Sequence, residues 1–183
     1  MWRNVPGHFR LVAEHIVIEE RAPREPGVVG AALYDDTTWC GIIVDGHHVD
    51  PVTLKLAMRC KRHDRFVLVT DAMPAVGSKA DSFVLQGRTI RVVDGVCRDE
   101  QGTLAGTALD MARAVRNAIS MLGLDLTDAI RMASEYPADY LGLGNELGRI
   151  APGYRANLAL IDDGVRVRRT WIDGISLPAA DER

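Results

Sequence analysis

Two short apolar runs, "WCGIIVDG" (39–46) and "RFVLVTDAM" (65–73), constrain the fold more than anything else in this chain. Neither alternates with polar residues, which is the pattern of a strand covered on both faces. Between them lies "DPVTLKLAMRCKR", which reads as a helix. Asp50 suits the cap, Pro51 suits the first turn and basic residues close the end. Strand, loop, helix and strand make a βαβ unit of a parallel sheet, the second strand running from Phe66 to Thr70. That strand runs straight into a carboxylate, Asp71, followed by the turn-forming Met73-Pro74-Ala75-Val76-Gly77. Aspartate in such a place is most often a cap or turn residue. The carboxyl ends of parallel strands are also where α/β proteins keep their chemistry. Position alone favours the first reading.

After Gly77 the texture changes. "SFVLQGRTIRVVDGVCRDEQGTLAG" alternates and turns at Gly87, Asp94-Gly95 and Gln101-Gly102, so it reads as hairpins, an insertion over about 82–100. Met111, Val115, Ala118 and Leu122 then form a helical stripe ended by Gly123. Leu126, Ala129, Ile130 and Ala133 form another, ended near Pro137. "PADYLGL" reads as a short helical piece stopped at Gly142-Leu143-Gly144. The tail is again β, with a turn at Pro152-Gly153, a strand through Ala159, and Val165, Val167 and Trp171 alternating with polar residues. This divides the chain into an α/β part, 1–144, and a β tail, 145–183. The first 25 residues carry one strand candidate, Leu11 to Ile18, before a Pro-containing loop.

At 183 residues, 47% of them hydrophobic, the chain is long enough for one domain with a core, or one medium and one small unit. A net charge of −3 gives no reason to expect a nucleic-acid or anionic-membrane partner. No apolar run approaches membrane-spanning length and no signal-peptide core opens the chain. Cys40, Cys60 and Cys97 lie far apart without CxxC spacing, as expected of reduced cysteines in a cytoplasmic protein.

Several residues at strand ends and helix starts are candidates for chemistry. "VDGHHVDP" puts His47 and His48 just past a strand. On extended backbone only one of two adjacent side chains faces a shared site. Asp45, His48 and Asp50 are a candidate metal set, though their spacing matches no strong signature. Arg24, before a Pro-Gly turn, suits a phosphate or carboxylate. "GTLAGT" (102–107) reads as a small-residue loop opening a helix, its N–H groups available to a polar ligand. His8, His15 and His63 have no evident partners.

The blocks "REPGVVGAALYDD", "GIIVDGHHVDP", "VLVTDAMPAVG", "GTLAGTALDMARAVRN", "AIRMASEYPADYLGL" and "GRIAPGYRANLALID" occur in the order seen in N-acetylglucosamine-6-phosphate deacetylases of the amidohydrolase superfamily, which the chain resembles over about residues 24–174. The resemblance implies an α/β fold: the last part of a (β/α)8 barrel plus the C-terminal portion of a small β-sandwich domain. "WCGIIVDG" and "RFVLVTDAM" would be the seventh and eighth barrel strands. It implies that Asp71 is the general acid/base acting on metal-bound water and the leaving amine, a role within carboxylate chemistry. It implies that His48 contacts the substrate, that Arg24 holds the sugar phosphate across a dimer interface, and that Leu104, Ala105 and Gly106 line the sugar. The closing block carries Asn157 where the family usually has Asp. The family's divalent metal, zinc or similar, is implied too, but its ligands do not match: the register of the last one falls on Ala13, and His15 is two positions away. The expectation is thus a deacetylase-like chain hydrolysing the acetamide of N-acetylglucosamine 6-phosphate, truncated and without the matching metal ligands. The alternative is a catalytically inactive, self-associating fragment that at most binds sugar phosphate. The expected partners are the sugar phosphate and a further copy of the chain, with no nucleic acid and no membrane.

Overall fold

The structure, a computed structural model, describes residues 26–178. The strand candidate Leu11–Ile18, His8, His15 and Arg24 lie outside the described residues. The first described element is a helix, α1 (Gly27–Tyr34). It was not anticipated, because two glycines in eight residues lower helix propensity and no side chain caps its start.

The βαβ unit is present. Strand β1 (Cys40–Ile43) leads to α2 (Pro51–Cys60) and returns as β2 (Phe66–Val69). The strands pair in parallel from Cys40↔Phe66 to Ile43↔Val69. The Asp50 side chain caps α2 by accepting the Val52 N–H at 2.7 Å. The lack of alternation has the expected cause, since Ile42, Ile43, Val44, Phe66 and Leu68 are all buried. Leu54, Ala57 and Met58 of α2 join the same core, with Ala114 and Val115 of α3 (Met111–Asn117) and Ala129 and Met132 of α4 (Leu126–Ala133). Helix α3 continues into one π-helical turn, Ala118–Leu122, before Gly123 takes a left-handed φ of 79°. Pro137 does not end α4. It lies in the first turn of a separate helix, α5 (Glu135–Tyr140), where the missing N–H costs nothing.

The hairpin region is larger than expected. β3 (Ser82–Leu85), β4 (Arg88–Val93), β5 (Val96–Arg98) and β6 (Leu104–Thr107) form one antiparallel sheet. Its tight turns at Gln86-Gly87 and Asp94-Gly95 have positive φ at both residues, as two-residue hairpins require. "GTLAGT" is therefore corrected: residues 104–107 are an edge strand bonded to β5, and the helix starts later, at Met111, capped by Asp110. β7 (Leu158–Ile161), β8 (Val167–Ile172) and β9 (Ile175–Pro178) form a third, antiparallel sheet. Val165 is not part of β8 but buried in the preceding turn at φ 55°, its carbonyl accepting from Arg116 at 2.8 Å. Asn157 accepts the Asp173 N–H at 2.8 Å through its side-chain oxygen, a bond an aspartate makes equally well. The described residues thus form an α/β structure with one parallel and two antiparallel sheets. No described helix is long and apolar enough to cross a membrane.

Candidate active site

Asp71 follows the carboxyl end of β2 by two residues and has a left-handed φ of 50°. Aspartate tolerates this better than most residues, but it still needs outside support. Support comes from the end of β6. The Asp71 carbonyl accepts the Thr107 N–H at 3.1 Å, the Met73 N–H reaches the Thr107 carbonyl at 2.8 Å, and the Thr107 hydroxyl donates to the Thr70 carbonyl at 3.1 Å. Thr107 is 1% exposed, and Ala72 and Thr107 form a parallel bridge. Gly106 makes this approach possible. A Cβ on it would meet the Asp71 carbonyl oxygen at 2.9 Å and the Met73 side chain at 2.6 Å, and its φ is +114°. Thr107 was read only as part of the "GTLAGT" loop, because its partners are 34 to 37 residues upstream.

The Asp71 side chain is aimed at His48. Its Oδ2 lies 3.3 Å from His48 Nε2, while His48 Nδ1 lies 2.7 Å from Asp45 Oδ2. The His48 side chain is 6% exposed and that of Asp45 4%, whereas the Asp71 side chain is 30% exposed. Asp45 Oδ1 accepts the N–H groups of His47 and His48 at 2.9 and 3.0 Å. Burial pushes the Asp45 carboxyl up, but these two backbone donors and the His48 ring outweigh it, so it stays below the usual carboxylate range. His48 turns toward Asp45 and Asp71 while His47 is exposed, on a bend past β1 rather than on extended backbone.

The other candidates lie differently. Leu104 and Ala105 border a groove of about 370 Å³ with Leu85, Arg88 and Ile90, which neither Asp71 nor His48 lines. An open groove of about 720 Å³ runs from His47 along Arg91, Asp94 and Arg98, again without Asp71 or His48. His63 has a partner after all, Asp128 Oδ2 at 3.1 Å. The metal set Asp45, His48 and Asp50 is not assembled. Asp50 is spent on the helix cap, and both His48 nitrogens face carboxylates. Among the described residues no three His, Cys, Asp or Glu side chains are grouped to hold a metal, so these residues do not by themselves fit the implied cation.

The model of the amidohydrolase family matches residues 12–176. Among curated relatives, the N-acetylgalactosamine-6-phosphate deacetylase of Shewanella sp. (strain ANA-3) is 44% identical over 161 residues, 87% of this chain and 40% of that one. The N-acetylgalactosamine-6-phosphate deacetylase of Escherichia coli O157:H7 is 42% identical over 82% of this chain and 40% of its own length. Among solved structures, N-acetylglucosamine-6-phosphate deacetylase from Pasteurella multocida superposes with a TM-score of 0.79 at 41% identity, covering 83% of this chain and 40% of that one. The chain spans about 40% of the length of each of these relatives, though it covers 90% of a relative from Escherichia coli (strain K12).

Proposed function

The chain belongs to the amidohydrolase family, and from that premise we propose that it hydrolyses the acetamide of an N-acetylhexosamine 6-phosphate with Asp71 as general acid/base. The observation that carries this reading is the carboxylate of Asp71, part-exposed just beyond the end of a parallel strand and 3.3 Å from a buried histidine. Amide hydrolysis needs a group that takes a proton from attacking water and returns it to the leaving nitrogen. A part-exposed carboxylate beside His48 serves both steps. Arg24 would hold the phosphate through charge-assisted bonds, and Leu104, Ala105 and Gly106 would lie along the sugar. His48 would contact the substrate along the Nε2 edge of its ring, beside Asp71, because Nδ1 is committed to Asp45. A divalent metal belongs to this reading through the family resemblance alone. The α/β part, up to residue 144, would be the closing part of a (β/α)8 barrel, and the tail from 145, with β7–β9, part of the small sandwich domain. Because β1 and β2 pair only with each other among the described residues, we include self-association in the proposal. Light scattering finding only monomer would remove that element. A cytoplasmic setting, in keeping with three unpaired cysteines, completes it.

The relatives divide between glucosamine and galactosamine names, so the test offers both. Acetate release from N-acetylglucosamine 6-phosphate and N-acetylgalactosamine 6-phosphate is measured with and without added zinc, alongside bound metal. Turnover of either sugar, lost in Asp71→Asn, supports the reading. Binding without turnover would overturn it in favour of a sugar-phosphate-binding chain.

A further inference from the structure

Asp45 is the buried carboxylate that the reading above leaves without a task. It is nearly inaccessible, it is held below the usual carboxylate range, and it follows β1 as Asp71 follows β2. Its two oxygens do different things. Oδ1 accepts two backbone N–H groups and so shapes the loop 45–48, while among the described residues Oδ2 meets His48 Nδ1, at 2.7 Å. The preceding carbonyl, Val44, accepts the Asn117 side-chain amide at 2.7 Å, which ties the root of this loop to α3. An ionised carboxylate has no proton to give, so at 2.7 Å the proton sits on Nδ1.

That assignment decides the other face of the ring. We propose that Asp45 is a positioning residue: it fixes His48 with Nδ1–H toward itself and so leaves Nε2 to share the proton that Asp71 takes up and returns. The proposal rests on the reading of Asp71 as the acid/base, and concerns how that residue is kept ready. Two states differ by one proton. In one, the imidazolium Nε2–H donates to the Asp71 carboxylate. In the other, the proton has crossed, so that Asp71 O–H donates to the neutral Nε2. Asp45 stays ionised in both, and the three groups together carry one negative charge in either state. A proton accepted by Asp71 thus has a second seat within 3.3 Å, without a change in net charge at the site. The carboxylate–histidine–acid/base order is built from one loop and one strand end, and Thr107 holds the Asp71 end in register from the other side.

The test reads the ring directly. Ring ¹⁵N–¹H correlation spectra of the full chain report which His48 nitrogen carries the proton, with His48→Gln assigning the signal by its loss. The proposal expects Nδ1 protonated in the wild type. Asp45→Asn keeps an oxygen for the two backbone donors but sets an amide N–H opposite Nδ1. The ring should then invert, with Nδ1 bare and Nε2 protonated, and kcat should fall about tenfold or more with KM nearly unchanged. A wild-type Nδ1 without its proton, or a ring pattern unmoved in Asp45→Asn, overturns the proposal. Should Asp45→Asn not fold, Asp71→Asn decides: an Nδ1–H retained while only the Nε2 signal moves supports Asp45 as the anchor, and a lost Nδ1–H overturns it. Because the ring signal does not depend on turnover, an inactive chain with the expected pattern would defeat the proposed function and leave the positioning intact.

Discussion

The two ends of the same parallel strand pair are built on opposite principles. At the amino end, polar and aromatic groups close on one another or on backbone. Trp39 stacks edge-on against Tyr140 with centroids 5.8 Å apart, and the Arg65 guanidinium sits 4.8 Å above its ring. The buried Lys61 donates to the Thr38 carbonyl at 2.7 Å and also to the Asp35 carbonyl. At the carboxyl end, Asp45, His48 and Asp71 face each other in a row whose last member is part-exposed, on a backbone held in a left-handed turn. One end uses its polar groups to finish the fold. The other holds Asp71 at a left-handed φ, supported from outside by β6, as the proposed site requires.

If this contrast is right, substitutions at the two ends should separate activity from stability. Asp71→Asn should produce the largest effect on catalysis, about a hundredfold or more in kcat, with little change in thermal midpoint. Steady-state kinetics beside thermal unfolding checks it. A variant that loses stability as well would break the comparison. Gly106→Ala should be costly on both scales. A Cβ there strikes the Asp71 carbonyl, and alanine resists φ near +114°, so about 3 kcal/mol or more of stability should be lost in denaturant unfolding. Activity should fall with it, because the Asp71 turn must move.

Smaller effects belong to the amino end. Lys61→Met should cost about 1–3 kcal/mol by stranding two carbonyls, while the folded fraction keeps its kcat. Arg65→Ala should cost about 0.5–1 kcal/mol and leave the site untouched. The finest distinction is in acid. Asp45 is held low mainly by backbone donors against its burial, and Asp64, near the amino end, by its side-chain bond to Arg62. Both folded-state values lie below the unfolded one. Each therefore contributes stability that is full above the unfolded value, about pH 4, and lost as pH falls through the folded value. Asp45→Asn should flatten that acid limb, and 1 M salt should weaken the part due to Asp64 more than the part due to Asp45. Denaturant midpoints measured between pH 5 and pH 2.5, with and without salt, make the check.

How much of this could be read beforehand follows from how local each cause is. The βαβ unit was legible because two-sided burial removes alternation from Cys40–Ile43 and Phe66–Val69, and because Asp50-Pro51 announces a helix start. That only one of His47 and His48 would face a site was legible; which one came from the family resemblance alone. Thr107 was not legible, since its importance lies in meeting residues 70 to 73 across the whole hairpin region. β6 was misread because Leu-Ala-Gly-Thr has the composition of a loop, and its pairing with β5 exists only once the hairpins fold. Helix α1 was hidden by its glycines, and Asp45 entered only as one of a candidate metal set without a strong signature, because its commitment to His48 is a matter of rotamer, not of spacing.

The most direct test of the central claim does not need turnover. Backbone amide shifts of the full chain are followed while N-acetylglucosamine 6-phosphate or N-acetylgalactosamine 6-phosphate is added. Binding at the carboxyl end should move His48, Asp71, Ala72 and Gly106 and leave Trp39, Lys61 and Arg65 still. Shifts concentrated around Trp39 and Arg65, or none at saturating sugar phosphate, would contradict the account.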